Sequence, residues 1–332
     1  MMRDPYQLFT DQLSKCRRIL ITTHVRPDGD ALGTVAALAM GLKQKKIDST
    51  IILLSKIPSK YSFIFDDNAL AHIDGADGLP ANLDLDAFDG LLVADTGTWS
   101  QLPGMQTVFE KWHKPKLVLD HHLTQENWAD LKLVDTTAAA AAEVAAQLFD
   151  SWGITIDRAI ATALYVALVS DTGWFQFSNT RPYTMRLAAT LMEAGVDTDR
   201  LNIVLNQNER KERVFLQTRV MQSLQLLAGD KVAMMTVTRD DFTQTGAGVP
   251  ATENLVNIPL QIANVEASLL FVEPPEGGPV RISLRSKGQL DCAQFAQQFG
   301  GGGHARAAGM KLSMPLEDAI RAITHKLAGI AF

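Results

Sequence analysis

Within the first 170 residues, short runs of branched apolar residues alternate with longer stretches of helical periodicity, and this alternation constrains the fold more than any other feature of the chain. Segments 19–22, 50–54, 90–94 and 116–119 read as strands, and strands separated by helices predict a parallel sheet flanked by helices. Between the first two, segment 31–43 places Leu32, Val35, Ala36, Ala39 and Leu42 at helical spacing, with Asp30 positioned as its cap. After Leu119 the pattern turns helical, over 137–152, 157–169 and 181–194, and no further strand is expected there. Segment 201–227 is a polar stretch leading into a stripe of Val214, Leu216, Val220, Leu224 and Leu227, which reads as a joining helix. That stripe leaves two options open, packing within the chain or against a second copy in a homodimer. Beyond it come strands at 231–237, 267–272 and 280–285, a hairpin loop at 274–279, a helix at 291–298, a glycine cluster and a last helix at 316–327. The expected organisation is an α/β domain over 1–195, a helical linker over 196–228 and a smaller α+β domain over 229–332, with a cleft between the two domains.

Composition removes several functions. The chain has 332 residues with 31 Lys+Arg against 37 Asp+Glu, a net charge of -6, so it has no global basic field for long duplex DNA. Any nucleic-acid contact must be local. Cys16 and Cys292 lie far apart, which argues against a disulfide framework and a thiolate zinc site and fits a reducing cytoplasm. The longest apolar stretch, 159–169, is short of the ~20 residues of a membrane-spanning helix. The first 13 residues carry Arg3, Asp4 and Asp11 and lack the apolar segment of a secretory signal. A cytoplasmic chain without membrane contact is expected.

The chemistry sits at strand ends. The first strand runs into Thr23-His24-Val25-Arg26-Pro27-Asp28-Gly29-Asp30, the third into Asp95, and the fourth into Asp120-His121-His122. In an open parallel sheet, ligands bind at the carboxyl ends of the strands, so these groups should converge. Pro27 and Gly29 interrupt regular structure, and the resulting loop can aim His24, Asp28 and Asp30 at one point. Each piece alone is unremarkable, because an Asp after a strand is most often a cap and Pro-Asp-Gly is ordinary turn chemistry. Together they pool two or three imidazoles with three or four carboxylates, which repel one another unless cations neutralise them. Oxygen and imidazole donors without thiolate suit two Mn²⁺ ions, with Mg²⁺ or Co²⁺ as alternatives. With about six ligands, one carboxylate bridges the pair, the arrangement that activates water in phosphoryl hydrolysis. His72, His113 and His325 fall in no such cluster.

The order His24-x-x-x-Asp28-x-Asp30, Asp95, Asp120-His121-His122 and Ser170-Asp171-Thr172-Gly173 resembles the four motifs of the DHH phosphoesterase superfamily. Segment 301–309, Gly-Gly-Gly-His-Ala-Arg-Ala-Ala-Gly, resembles the signature of its companion DHHA1 domain. The resemblance implies one metal held by His24, Asp28 and Asp95, and a second held by Asp30, Asp95, His121 and Asp171. It also adds Asp171, which periodicity alone leaves at the end of an apolar helix. Asp120 is then a support that orients an imidazole, and His122 lies beside the scissile phosphate as a hydrogen-bond or proton donor.

In the second domain, Gly301, Gly302 and Gly303 leave backbone amides unshielded for a phosphate, and His304 and Arg306 add polar and charged contacts. The alternating strand 281–285 puts Arg281, Ser283 and Arg285 on one face. The resemblance points to Arg285 as the clamp on a terminal phosphate, bidentate where lysine is not, with Arg281 as second candidate. A chain of this length with only these two domains is similar to the branch of the family that hydrolyses short RNA to mononucleotides and converts 3'-phosphoadenosine 5'-phosphate (pAp) to AMP and phosphate. A substrate of about two to five nucleotides needs only a few arginines, consistent with the acidic balance. The alternatives are a phosphodiesterase for the linear dinucleotides pGpG or pApA, and an inorganic pyrophosphatase or exopolyphosphatase. A non-enzymatic nucleotide-binding scaffold is disfavoured, since no ligand is missing.

Overall fold

The computed structural model describes residues 4–68, 70, 72–75, 79–80 and 83–330. The chain divides between Asn208 and Glu209 into two compact units. The first comprises α1 (Pro5–Leu13), β1 (Arg18–Thr23), α2 (Gly29–Gln44), β2 (Asp48–Leu53), α3 (Ser62–Asp66), β3 (His72–Asp74), β4 (Gly90–Ala94), α4 (Gln106–Phe109), β5 (Lys116–Asp120), β6 (Leu131–Val134), α5 (Ala141–Trp152), α6 (Arg158–Asp171), α7 (Pro182–Glu193) and α8 (Thr198–Asn206). Its six strands are all parallel, in the order β3-β2-β1-β4-β5-β6. Strand order reverses between β1 and β4, which creates a crevice at their carboxyl ends.

Both faces of this sheet are covered, as expected for strands that are apolar along their length. On one face Ile19, Ile21, Leu92 and Leu117 pack with the apolar sides of α2, α5 and α6. On the other, Leu20, Leu91, Val93 and Val118 pack with Trp99, Leu102, Met105 and Phe109. Helices α2 and α6 lie in close contact because Gly33 presents no side chain, and a Cβ there would fall 2.3 Å from the Ala163 carbonyl oxygen. Close packing at Gly29 as well, where a Cβ would sit 2.7 Å from Ser170 Cβ, brings the start of α2 beside the end of α6.

Three sequence expectations need correcting here. A strand does follow Leu119: β6 pairs with β5, and its period is hidden because only Leu133 of its four residues is buried. The cap of α2 is Asp28, not Asp30. Asp28 has extended backbone and accepts from the Asp30 and Ala31 amides, whereas Asp30 already lies in the first helical turn and is buried. The 214–227 stripe is not one helix, since it ends at Gln222, where Ser223 Oγ bonds the Val220 carbonyl and the Thr236 backbone, and a strand follows.

The second unit comprises α9 (Lys211–Gln222), β7 (Gln225–Leu227), β8 (Val232–Val237), α10 (Arg239–Thr245), β9 (Ala267–Val272), β10 (Val280–Ser286), α11 (Cys292–Gln297), β11 (Gly302–His304), β12 (Ala307–Leu312) and α12 (Leu316–Leu327). Its sheet runs β11-β12-β10-β9-β8-β7, antiparallel except for the β8–β9 pair. The segment read as a linker, 196–228, is shared between the units. Leu201 of α8 is buried in the first core, and Leu216 and Val220 of α9 are buried against Val237 and Phe242 in the second.

Candidate metal centre

Five elements deliver the candidate ligands to the crevice. His24 follows β1, Asp28 and Asp30 open α2, Asp95 follows β4, His121 follows β5, and Asp171 is the last residue of α6. Asp95 occupies the left-handed region at φ 63°, uncommon for a residue with a side chain and typical of functional turns. It stands between the two imidazoles: its Oδ2 lies 3.4 Å from His24 Nε2 and its Oδ1 lies 3.4 Å from His121 Nε2. His121 Nε2 is also 3.2 Å from Asp171 Oδ2 and 3.7 Å from Asp30 Oδ2, while His24 Nε2 is 4.0 Å from Asp28 Oδ1. Three ligand-type groups result, His24 with Asp28 and Asp95, Asp30 with His121 and Asp171, and Asp95 with His121 and His122, each with donor atoms within 4.8 Å of one another.

These charges are poorly balanced by the protein alone. Burial opposes charging of His24, yet neighbouring Asp95 overcomes it and lifts the imidazole to about 9. Burial likewise opposes His121, but Asp171 and Asp95 push it up to about 12. Burial and then the charges of Asp95 and Asp171 push Asp28 up, and Asp30 well up. Asp95 is held at about 2, because His121 and His24 outweigh its own burial. Protons on the imidazoles thus supply positive charge where cations would. Asp95 Oδ1 and His121 Nε2 are buried and have no hydrogen-bond partner, an arrangement that costs about 1–3 kcal/mol per group unless something else satisfies it. Carboxylate and imidazole donors, with orphaned atoms facing one point, fit divalent cations.

The family profile described as the DHH family, N-terminal domain, matches residues 18–168, and that of the DHHA1 domain matches residues 229–330. Residues 18–168 thus match a DHH domain and residues 229–330 a DHHA1 domain. It is 29% identical over 321 residues to a Thermus thermophilus protein named bifunctional oligoribonuclease and PAP phosphatase NrnA, covering 93% of this chain and 90% of that one. A Bacillus subtilis protein of the same name is 26% identical over 297 residues, 89% of each chain. Among solved structures, an exopolyphosphatase-related protein from Bacteroides fragilis superposes with a TM-score of 0.88 at 23% identity, over 98% of this chain and 95% of that one. The chain therefore shares the fold of that protein along nearly its whole length.

Around the candidate metal centre, the chain uses groups that sequence reasoning did not single out. Both Asp30 oxygens accept from the start of α5, Oδ2 from the Ala141 amide at 2.6 Å and Oδ1 from the Ala142 amide at 3.2 Å, and Oδ1 also accepts from Thr34 Oγ1. The Ala138 carbonyl faces His121 Nδ1 at 3.2 Å. Asn179 Nδ2 donates to both the Ala139 and Asp171 carbonyls. The alanine-rich stretch before α5 thus positions three elements of the site through its main chain. Asp120 is fully buried and supports His122 rather than the neighbouring His121: its Oδ1 bonds His122 Nδ1 at 2.8 Å and accepts the His121 and His122 amides. Gln125 Nε2 holds the other Asp120 oxygen, in space that Gly97 leaves by having no Cβ.

In the DHHA1 unit the glycines divide into two kinds. A Cβ on Gly301 would fall 2.4 Å from the Gly309 carbonyl oxygen, and one on Gly303 2.4 Å from that of Ala307, so the close approach of β11 to β12 requires both. The Gly301 amide is donated to the Ala296 carbonyl. Gly302 has open space beside it. His304 and Arg306 are exposed, and Arg285 is half-buried, with Nη1 on the Leu284 carbonyl and burial lowering its pKa. His72, His113 and His325 belong to none of the metal-binding groups found among the described residues. No helix among those residues is long and apolar enough to cross a membrane.

Proposed function

We propose that this DHH protein is a metal-dependent phosphoesterase that hydrolyses short oligoribonucleotides to mononucleotides and pAp to AMP and phosphate. One observation carries the reading: six carboxylate and imidazole donors converge at the strand-order reversal with two buried, orphaned atoms among them. The choice of substrate is supported by the names of the T. thermophilus and B. subtilis relatives, which match over nine-tenths of the chain. His24, Asp28 and Asp95 would hold one ion, and Asp30, His121 and Asp171, with Asp95 shared, would hold the second. Mn²⁺ is the ion we favour for mixed oxygen and imidazole donors. Bound there, two such ions activate a water and stabilise the departing oxygen of a phosphate ester.

The chain's own groups do the rest. Asp120 engages His122 Nδ1, which leaves Nε2 of this half-exposed ring to serve the substrate. The same hydrogen bond raises the His122 pKa, so the ring donates a proton to the leaving oxygen. In the DHHA1 unit, Arg285, His304 and Arg306, with the backbone of Gly302 and Gly303, hold the phosphate of the substrate; Gly301 serves the strand pairing. The test is chromatographic product analysis after incubation with Mn²⁺ and a mixture of pAp, a 5'-labelled RNA ladder from the dinucleotide upward, and pyrophosphate. Loss of the shortest RNAs with conversion of pAp to AMP is expected. Phosphate release from pyrophosphate with the nucleotides untouched would overturn the reading.

A further inference from the structure

The sheet of the DHHA1 unit is unevenly covered. One face carries Leu269, Phe271, Ile282, Leu284 and Met310 beneath α11 and α12. On the opposite face α9, α10 and segment 255–261 cover β8 and β9, over Met235, Val237, Leu270 and Val272, and segment 255–261 also reaches β10. Among the described residues, Arg281 at one end of β10, Gly309 and Lys311 of β12 and all of β11 stay exposed, and the register arranges this face in three rungs. Arg285 stands opposite Ala307, and Ala307 opposite His304. Ser283 stands opposite Gly309, and Gly309 opposite Gly302. Arg281 stands opposite Lys311.

The middle rung is almost without side chains, a flat lane between two polar rungs. The outer rung is energetically odd: Arg281 and Lys311 are like charges directly across an antiparallel pair, which destabilises a sheet. Both are exposed, and among the described residues neither enters an ion pair. An unneutralised cation pair held at a fixed register is suited to a phosphate. Rungs two residues apart along a strand put Arg281 ~13 Å from Arg285, four residues at about 3.3 Å each, beyond the reach of one nucleotide.

We propose that this open face binds the sugar–phosphate backbone of single-stranded RNA longer than a dinucleotide, with Arg281 and Lys311 clamping a phosphate remote from the one held at Arg285. The proposal rests on the oligoribonuclease reading for its ligand. Arg281 and Lys311 then act on chain length, favouring oligonucleotides over pAp, which is too short to span the rungs.

The experiment uses the full chain and the double variant R281Q/K311Q. Binding of a fluorescent, phosphorothioate-blocked RNA pentamer is followed by anisotropy across a salt series, and turnover of the unblocked pentamer is compared with that of pAp. Loss of one phosphate contact should flatten the slope of log K against log salt by about 0.7, while R321Q, on α12 against the other face, keeps the wild-type slope. The ratio of kcat/KM for the pentamer to that for pAp should fall at least tenfold. An unchanged slope, or equal losses on pentamer and pAp, would overturn the proposal. If wild-type protein binds the pentamer with the expected salt response but turns over neither substrate, the oligoribonuclease reading fails and the binding face stands.

Discussion

Replacing Gly33 by alanine tests whether the approach of α2 to α6 builds the metal centre. Two effects compete. Alanine is a better helix former than glycine by about 1 kcal/mol in a helix interior. Against this, the new Cβ would lie 2.3 Å from the Ala163 carbonyl oxygen and 3.1 Å from the Ala167 amide nitrogen, both backbone atoms that cannot rotate away. The helices must part by about 1 Å to restore ordinary contact, and overpacking of this kind costs ~1–3 kcal/mol, here toward the upper end. The clash wins by about 1–2 kcal/mol, which for a unit of some 200 residues lowers Tm by roughly 2–8 °C. The parting also separates Asp28 and Asp30, on α2, from Asp171, on α6. Mn²⁺ at one hundred times its Kd stabilises the folded state by about 2.7 kcal/mol, and each tenfold loss of affinity removes about 1.4 of that. Calorimetric melts in EDTA and in Mn²⁺ should therefore show both a lower EDTA midpoint and a smaller Mn²⁺ increment. A variant that melts at or above wild type in EDTA and keeps the full increment would refute the argument.

Asp95→Asn should abolish the Mn²⁺ increment and Mn²⁺-dependent turnover and also lower the EDTA midpoint, since in the metal-free protein the Asp95 charge pairs with both protonated imidazoles; persistent turnover would sink the shared-ligand role. Asp120→Asn should keep Mn²⁺ binding and lower kcat about 10–100-fold, with the basic limb of the pH profile moving to lower pH as His122 loses the partner that raises its pKa. An unmoved limb would assign that titration elsewhere. Mn²⁺ affinity, measured calorimetrically in buffers of differing ionisation enthalpy, should fall about tenfold per pH unit for each proton displaced, because His24, at about 9, and His121, at about 12, are protonated in the metal-free protein and must deprotonate to bind. Affinity independent of pH between about 6 and 8 would show that these imidazoles do not bind the ion.

The parts legible in sequence were those where side-chain identity carries the information. The three strands that lead into His24, Asp95 and Asp120 are buried along nearly all their length, and the polar residues at their ends stand out for that reason. Short strands escaped. β6 buries one residue of four, and β11 is exposed throughout, so neither has a hydrophobic period to read. The glycines of 301–303 were legible as a cluster but not in their reasons, because a contact between β11 and β12 depends on pairing distant from the local pattern.

Positioning of the ligands was illegible for a different physical reason. The segment 138–142 acts through the Ala138 and Ala139 carbonyls and the Ala141 and Ala142 amides, which reach His121, Asn179 and Asp30. Every residue type but proline offers the same amide and carbonyl, so such a segment announces itself only as small. Smallness is nevertheless part of the mechanism, since Ala139–Ala142 are completely buried and each side chain beyond a methyl would have to find room in a close-packed core. The start of α5 also lacks a side-chain cap of its own. Asp30 fills that role from α2, so one carboxylate both satisfies a helix terminus and faces His121. A carboxylate fixed by two amides of a different helix is held in place without an ion, so the proposed centre is preorganised for one.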